Sequence, residues 1–172
     1  MVAAAGLLIA ACGSPSSPSS ASHSPSPSAQ AKLISTVDAC KLVTASDASS
    51  AAGTTVTSIS TGAQISAACL YGSSDGSISV EVFAEAYPDL ATARAVSPES
   101  IAAAINAGAG VTNAKAVSGI GDKAVEYSLT SSGASGIVIF AFKSNVLVMI
   151  AVTPAIDPTK IEQLARTALG NL

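Results

Sequence analysis

The spacing of apolar residues changes along the chain, and each change marks an element. From Ile78 to Glu85 the pattern alternates. Ile78, Val80, Val82 and Ala84 are set against Ser79, Glu81, Phe83 and Glu85, the period of two that gives a strand one buried face. Thr54–Ser60 is rich in β-branched residues, and Gln64–Gly72, which carries Cys69 and Tyr71, continues in the same style. Residues 114–130 also read as strand, with a break at Gly119-Ile120-Gly121. Ile137–Phe142 and Val146–Val152 are almost wholly apolar. Taken as one stretch they would resemble a membrane span, but the β-branched bias and the polar Lys143-Ser144-Asn145 between them make a hairpin.

Elsewhere the period lengthens to that of a helix. After Asp157, a cap, and Pro158, at the first helical position, Ile161, Leu164, Ala165, Ala168 and Leu169 repeat on one face, and Gly170 closes the segment. Asp89–Ala107 is an Ala-rich helical stretch interrupted at Pro98, with Ser97 as the second cap. Its apolar stripe is Ile101, Ala102, Ala104 and Ile105, and Gly108-Ala109-Gly110 ends it. Asp38–Gly53 holds two short helical pieces, the second capped by Thr44 with Asp47 in its first turn and stopped by Gly53. Strands and helices that do not strictly alternate predict an α+β domain over residues 32–172. A mainly antiparallel sheet would be packed against helices as an α/β sandwich.

The first thirty-one residues follow another logic, for they contain no Asp, Glu, Lys or Arg. Val2–Ala11 is an unbroken apolar run, only about 15 Å long as a helix, so it has the length of a secretory h-region rather than of a membrane span. Residues 1–11 are therefore read as a signal peptide. Met1-Val2-Ala3 lacks the basic residue such a segment opens with, and the expectation is a true start upstream. Ile9-Ala10-Ala11-Cys12 resembles the lipobox of bacterial lipoproteins. That resemblance implies cleavage after Ala11 and a diacylglycerol on the Cys12 thiol. Residues 12–31 then form a Ser/Pro/Ala tether with too few apolar side chains to bury anything. His23, the chain's one histidine, lies within it as a solvated polar residue.

Composition narrows the chemistry. A formal charge of −3 on 172 residues provides no basic footprint for nucleic acid. One histidine removes the common zinc constellations, and no metal or cofactor is expected. With Cys12 lipidated, Cys40 and Cys69 remain as an even pair. On the oxidising side of a membrane a disulfide is the default reading over two free thiols, closing a loop worth about 3–4 kcal/mol.

Two motifs imitate catalytic sites. Gly72-Ser73-Ser74-Asp75-Gly76 matches G-x-S-x-G, but a nucleophile elbow needs a following helix and a histidine base, and here a strand follows. It reads as a hairpin turn. Gly119-Ile120-Gly121-Asp122-Lys123-Ala124 matches the dinucleotide fingerprint, yet strand-like residues follow where a phosphate-binding helix should begin. Glu81 and Glu85 share a strand face and read as a solvated edge rather than an acid–base pair. Tyr71, Tyr87 and Tyr127 read as partly buried tyrosines.

The order of lipobox, tether, Asp38-Ala39-Cys40-Lys41-Leu42-Val43-Thr44, Cys69-Leu70-Tyr71 and Gly119-Ile120-Gly121-Asp122-Lys123-Ala124 resembles a family of actinobacterial secreted lipoproteins of unknown function. The resemblance covers about residues 35–153. It implies a Cys40–Cys69 disulfide, an envelope location and an outline like PsbP-like α/β sandwiches, and it supplies no catalytic residues. The resulting expectation is a non-enzymatic binding module held on the extracytoplasmic face of the cell membrane through Cys12, its partner an envelope protein, a glycan or a lipid. A carrier version predicts a hollow between the sheet and Asp89–Ala107, where small side chains leave room; the plainer reading of those alanines is close helix–sheet packing. An adaptor version predicts a flat exposed patch, and a hydrolase acting through Ser74 is the remaining alternative.

Overall fold

The computed structural model describes residues 33–59, 67–106, 110–131 and 133–172. The signal-like run, Cys12, the tether and His23 lie outside them. Among the described residues the strands are β1 (Val56–Ile59), β2 (Ala68–Ser73), β3 (Ser79–Ala86), β4 (Gly110–Val117), β5 (Lys123–Ser131), β6 (Ala134–Lys143) and β7 (Val146–Thr153). The helices are α1 (Ala39–Leu42), α2 (Ala45–Ala52), α3 (Leu90–Ala95), α4 (Pro98–Asn106) and α5 (Pro158–Gly170). The strands form one sheet in the order β1-β2-β3-β7-β6-β5-β4, antiparallel at every pairing. The α+β class with an antiparallel sheet is thus as expected.

Local chemistry explains the helix ends. Thr44 and Asp47 form a reciprocal capping box at α2, and Gly53 leaves it with φ +73°, a left-handed conformation that suits glycine. Asp38, Asp89 and Asp157 each accept a hydrogen bond from a first-turn amide of the helix that follows. α5 runs through Gly170 and is capped by Asn171, one residue later than the glycine suggested, and the Asn171 side chain donates to Leu42 O at 2.9 Å.

One face of the sheet is closed. Val80, Val82, Ile139, Val148, Ile150 and Val152 are fully buried on it, and α5 covers them with Ile161, Leu164, Ala165, Ala168 and Leu169. α1 and α2 extend that cover over β1–β3, where Cys40 and Cys69 form a disulfide with Cα atoms 5.0 Å apart. Beside it the buried Tyr71 hydroxyl donates to Val43 O. The opposite face carries a smaller core of Val125, Tyr127, Val138, Phe140, Phe142 and Leu147, met by Ala102 of α4 and Val111 of β4. Tyr127 and Phe140 meet edge to face with ring centres 5.7 Å apart.

Asn145 joins the parts. Wholly buried in the β6–β7 turn, it accepts from Ile34 N at 3.0 Å and donates to Ile34 O at 2.7 Å and Tyr87 O at 2.6 Å. A single amide thereby fixes the segment before α1 and the exit of β3 against the central hairpin.

Several expectations change. Gly110 does not belong to a helix stop; it opens β4, pairing with Thr130, and β4 carries a bulge between Thr112 and Lys115, where Asn113 has φ +57°. Ala104 faces solvent, so the buried contact of α4 comes from Ala102. Glu81 and Glu85 lie on an exposed face of β3, but β3 is an inner strand, so they mark a solvated face rather than an edge. Tyr71 and Tyr127 are fully rather than partly buried.

Candidate functional site: a cleft beside the Ala-rich helices

α3 and α4 do not seal the sheet. The chain leaves α3 through extended Val96 and begins α4 at Pro98, whose fixed φ suits a first helical position. Ser97 and Ser100 lock this corner: Ser97 Oγ accepts from Ser100 N at 3.0 Å, and Ser100 Oγ accepts from Ser97 N at 3.3 Å. The small side chains of α3 and the bend after it leave a cleft of about 370 Å³ against the sheet. Leu90, Ala93, Arg94, Val96 and Ser97 form one wall, and Asp122, Lys123, Phe142 and Ser144 form the other. That volume is within the usual range for small-molecule sites.

The second wall is built by the G-I-G-D segment. Ile120 is 1% exposed and plugs the closed-face core, while Gly121 (φ +58°) lies so near β6 that an added Cβ would sit 2.2 Å from Phe142 O. This close approach sets Asp122, whose amide donates to Phe142 O at 2.7 Å and whose carboxylate accepts from Ser144 N at 2.7 Å. Ser144 takes φ +54° in the two-residue turn, and its hydroxyl oxygen is buried without a hydrogen-bond partner among the described residues. Such an orphaned hydroxyl costs about 1–3 kcal/mol unless something supplies a partner.

Charge in the cleft is unevenly satisfied. Lys123 reaches Glu99 at 3.8 Å, both side chains being more than half exposed. The Glu99 carboxyl is held below the usual carboxylate range by backbone amide bonding at the start of α4. Asp122 is exposed and accepts the Ser144 amide, a neutral donor that leaves its negative charge in the cleft. Arg94, exposed at the end of α3, makes no hydrogen bond or ion pair among the described residues.

The residues singled out in the sequence fall elsewhere. Ser74 sits in the exposed β2–β3 turn, where Ser73 Oγ donates to Asp75 at 2.5 Å and Ser77 N donates to the same carboxylate at 3.1 Å. These bonds hold the Asp75 carboxyl down at about 2. The G-x-G-x-x-A segment runs into β5 and not into a helix. Cys40 and Cys69 are brought together as a disulfide, while Cys12 lies outside the described residues. Among the described residues there is no group of three or more His, Cys, Asp or Glu placed to hold a metal. No helix there is long and apolar enough to cross a membrane.

The sequence reading met Asp122 and Lys123 only inside the dinucleotide-like motif and Ser144 only as a turn residue, and nothing local marks Arg94. Only the polar interruption of the apolar hairpin at Ser144-Asn145, and an acid directly after a glycine, hint that two turns meet. No family model matches the chain, and no curated protein matches it.

Proposed function

We propose that the chain is a lipid-anchored, non-enzymatic binding module of the cell envelope, and that the cleft between α3 and the sheet holds its ligand. The single observation that carries this reading is the cleft itself, whose lining mixes the apolar Leu90, Ala93, Val96 and Phe142 with the charged Arg94, Asp122 and Lys123. It lies beside the Ala-rich stretch, where the carrier version requires a hollow. The disulfide is consistent with an oxidising, extracytoplasmic compartment. Attachment at Cys12, membership of the actinobacterial lipoprotein family and a PsbP-like outline complete the proposal as likenesses of sequence and shape.

Native mass spectrometry of the chain made in an oxidising compartment tests the carrier. A stoichiometric apolar adduct, reduced in a Leu90→Ala variant, is the expected result. Metabolic labelling with a palmitate analogue, lost in Cys12→Ser, tests the anchor. A second reading, an adaptor for an envelope protein, is favoured by one observation. On β1, β2, β3 and β7 the half-buried Leu70, Phe83 and Met149 and the exposed Ile59 lie on the sheet face away from α5. In-cell crosslinking from that face to one partner, with no adduct in the cleft, would favour it. A hydrolase at Ser74 is set aside in this proposal, since the turn supplies no base; labelling of Ser74 by a serine-reactive phosphonate would restore it.

A further inference from the structure

Resting on the adaptor reading above, we infer that the sheet face away from α5 docks one amphipathic helix of a partner protein, its apolar stripe flanked by Lys or Arg. Strand register places the groups. Phe83 lies opposite Met149 and Ile59 opposite Leu70, so four large apolar side chains share two neighbouring rows of the outward face. Ile59 is 45% exposed and the other three are half-buried. Glu81 and Glu85 stand two positions to either side of Phe83 on that face, both exposed, about 14 Å apart along β3.

The charge of this face has one sign. From Val56 to Ala86, and again along β7, the sequence contains no Lys or Arg. Neither glutamate joins an ion pair among the described residues. Tyr87 donates its hydroxyl to Glu85 at 3.2 Å. Burial, with Glu85 beside it, pushes that phenol up to about 12, so it stays a neutral donor and leaves the carboxylate charged. Two like charges bracketing an apolar centre complement a partner with cations on both flanks of an apolar stripe. They also oppose an anionic lipid surface.

Size decides the form of the partner. With strands about 4.8 Å apart, β1, β2, β3 and β7 span about 15 Å, and Ser79 to Glu85 runs about 20 Å along β3, an area of about 300 Å². A standard complex takes about 800 Å² from each partner. A second copy pairing face to face would fall short of that and would set glutamate against glutamate. A helix about 10 Å wide fits, and 20 Å of it is about 13 residues. The opposite face is covered by a helix of that length, the 13-residue α5.

The test titrates the oxidised full chain carrying Cys12→Ser with three synthetic amphipathic helices of about 14 residues. They share a leucine stripe and differ in their flanks, which are lysine, glutamine or glutamate. The Met149 methyl group reports by NMR, since the chain's one other methionine is Met1. The lysine peptide is expected to move that methyl and to bind about three- to tenfold more tightly than the glutamine peptide, the size of two exposed ion pairs. The glutamate peptide should bind most weakly. Glu81→Gln with Glu85→Gln should erase the preference while the glutamine peptide binds as before. Glu99→Gln with Glu162→Gln, an equal change in net charge away from this face, should keep it. Raising salt should narrow the preference, since both carboxylates are exposed.

Equal binding of all three peptides at Met149, or a lysine preference that survives the Glu81 and Glu85 substitutions, would overturn the basic partner while leaving the face as a docking site. No Met149 shift with any peptide would overturn both readings. A Met149 shift that grows with protein concentration alone, with a dimer in sedimentation, would replace the helix by a second copy. Co-sedimentation with phosphatidylglycerol vesicles that Phe83→Gln abolishes would replace it by a membrane surface.

Discussion

Ile150 and Met149 are neighbours on β7, yet they belong to different molecules in a physical sense. Ile150 points at α5 and is fully buried among branched aliphatic side chains that interdigitate with a regular amphipathic helix. Met149 points the other way, half-buried beside Phe83 and Phe140, on a face that α3 and α4 cover only towards β4, β5 and β6. The first face has a single long helix whose apolar stripe matches the sheet beneath it. The second has short, small-residue helices broken at Ser97-Pro98, and there the cleft opens. The difference is between a face that one helix closes and a face that two short helices leave partly uncovered.

The two faces are joined at Gly121, and substitution there is the strongest test of their coupling. In Gly121→Ala the new Cβ would meet Phe142 O at 2.2 Å and Leu169 Cδ1 at 2.9 Å, in a backbone conformation with φ +58°. Left-handed strain and overpacking add to about 2–5 kcal/mol. Gly119 provides the control: its φ is +74°, but nothing lies within 4 Å of an added Cβ, so Gly119→Ala should cost only the strain of about 1–2 kcal/mol. Urea unfolding midpoints compare them. Equal losses would mean that the G-I-G-D segment is an ordinary turn and does not bind the cleft wall to the core.

The β7 pair separates the faces directly. Ile150→Ala removes a fully buried side chain from the close-packed face and should cost about 3–4 kcal/mol. Met149→Ala removes a side chain that keeps part of its solvent contact, and about 1 kcal/mol or less is expected. Comparable losses would show that the second face is as tightly packed as the first.

How much of this could be read from the chain differs between the faces for the same reason. The alternation of β3, the apolar hairpin and the stripe of α5 are written locally, because burial against one partner imposes one period. The caps at Thr44, Ser97 and Asp157 are equally local. The strand order is not, since β3 beside β7 is a pairing between residues some seventy positions apart. Nor is Asn145, whose three backbone partners lie 111 and 58 positions away. The Ala-rich stretch announced a shortage of side-chain volume, but whether close packing or a hollow resulted depended on the bend at Ser97-Pro98 and on the G-I-G-D segment opposite.

The smallest effect concerns the one buried carboxyl group among the described residues. Glu126 of β5 is 7% exposed on the α5 side, with Lys115 at 3.9 Å and with Oε2 lacking any hydrogen-bond partner among the described residues. Lys115 is shared, since its ammonium lies nearer Glu162 at 3.3 Å, and Glu162 is also paired with Arg166 at 3.4 Å. Burial pushes the Glu126 carboxyl above its ordinary value, Lys115 pulls it back in part, and Glu162 adds to the rise. Because the folded state holds this proton more tightly than the unfolded chain, the contribution to stability is fully present below the ordinary carboxylate value of 4.5. It is lost as pH rises from there through the raised folded value. Glu126→Gln removes that dependence. Relative to the parent, the variant should gain under about 1 kcal/mol near neutrality, the broken Lys115 pair offsetting part of the relief, and the gain should vanish on acidification. Urea midpoints of both proteins at about pH 7 and about pH 3.5 measure the difference. A gap that does not change with pH would mean that water reaches Glu126, and that the face under α5 is less completely closed than its branched side chains indicate.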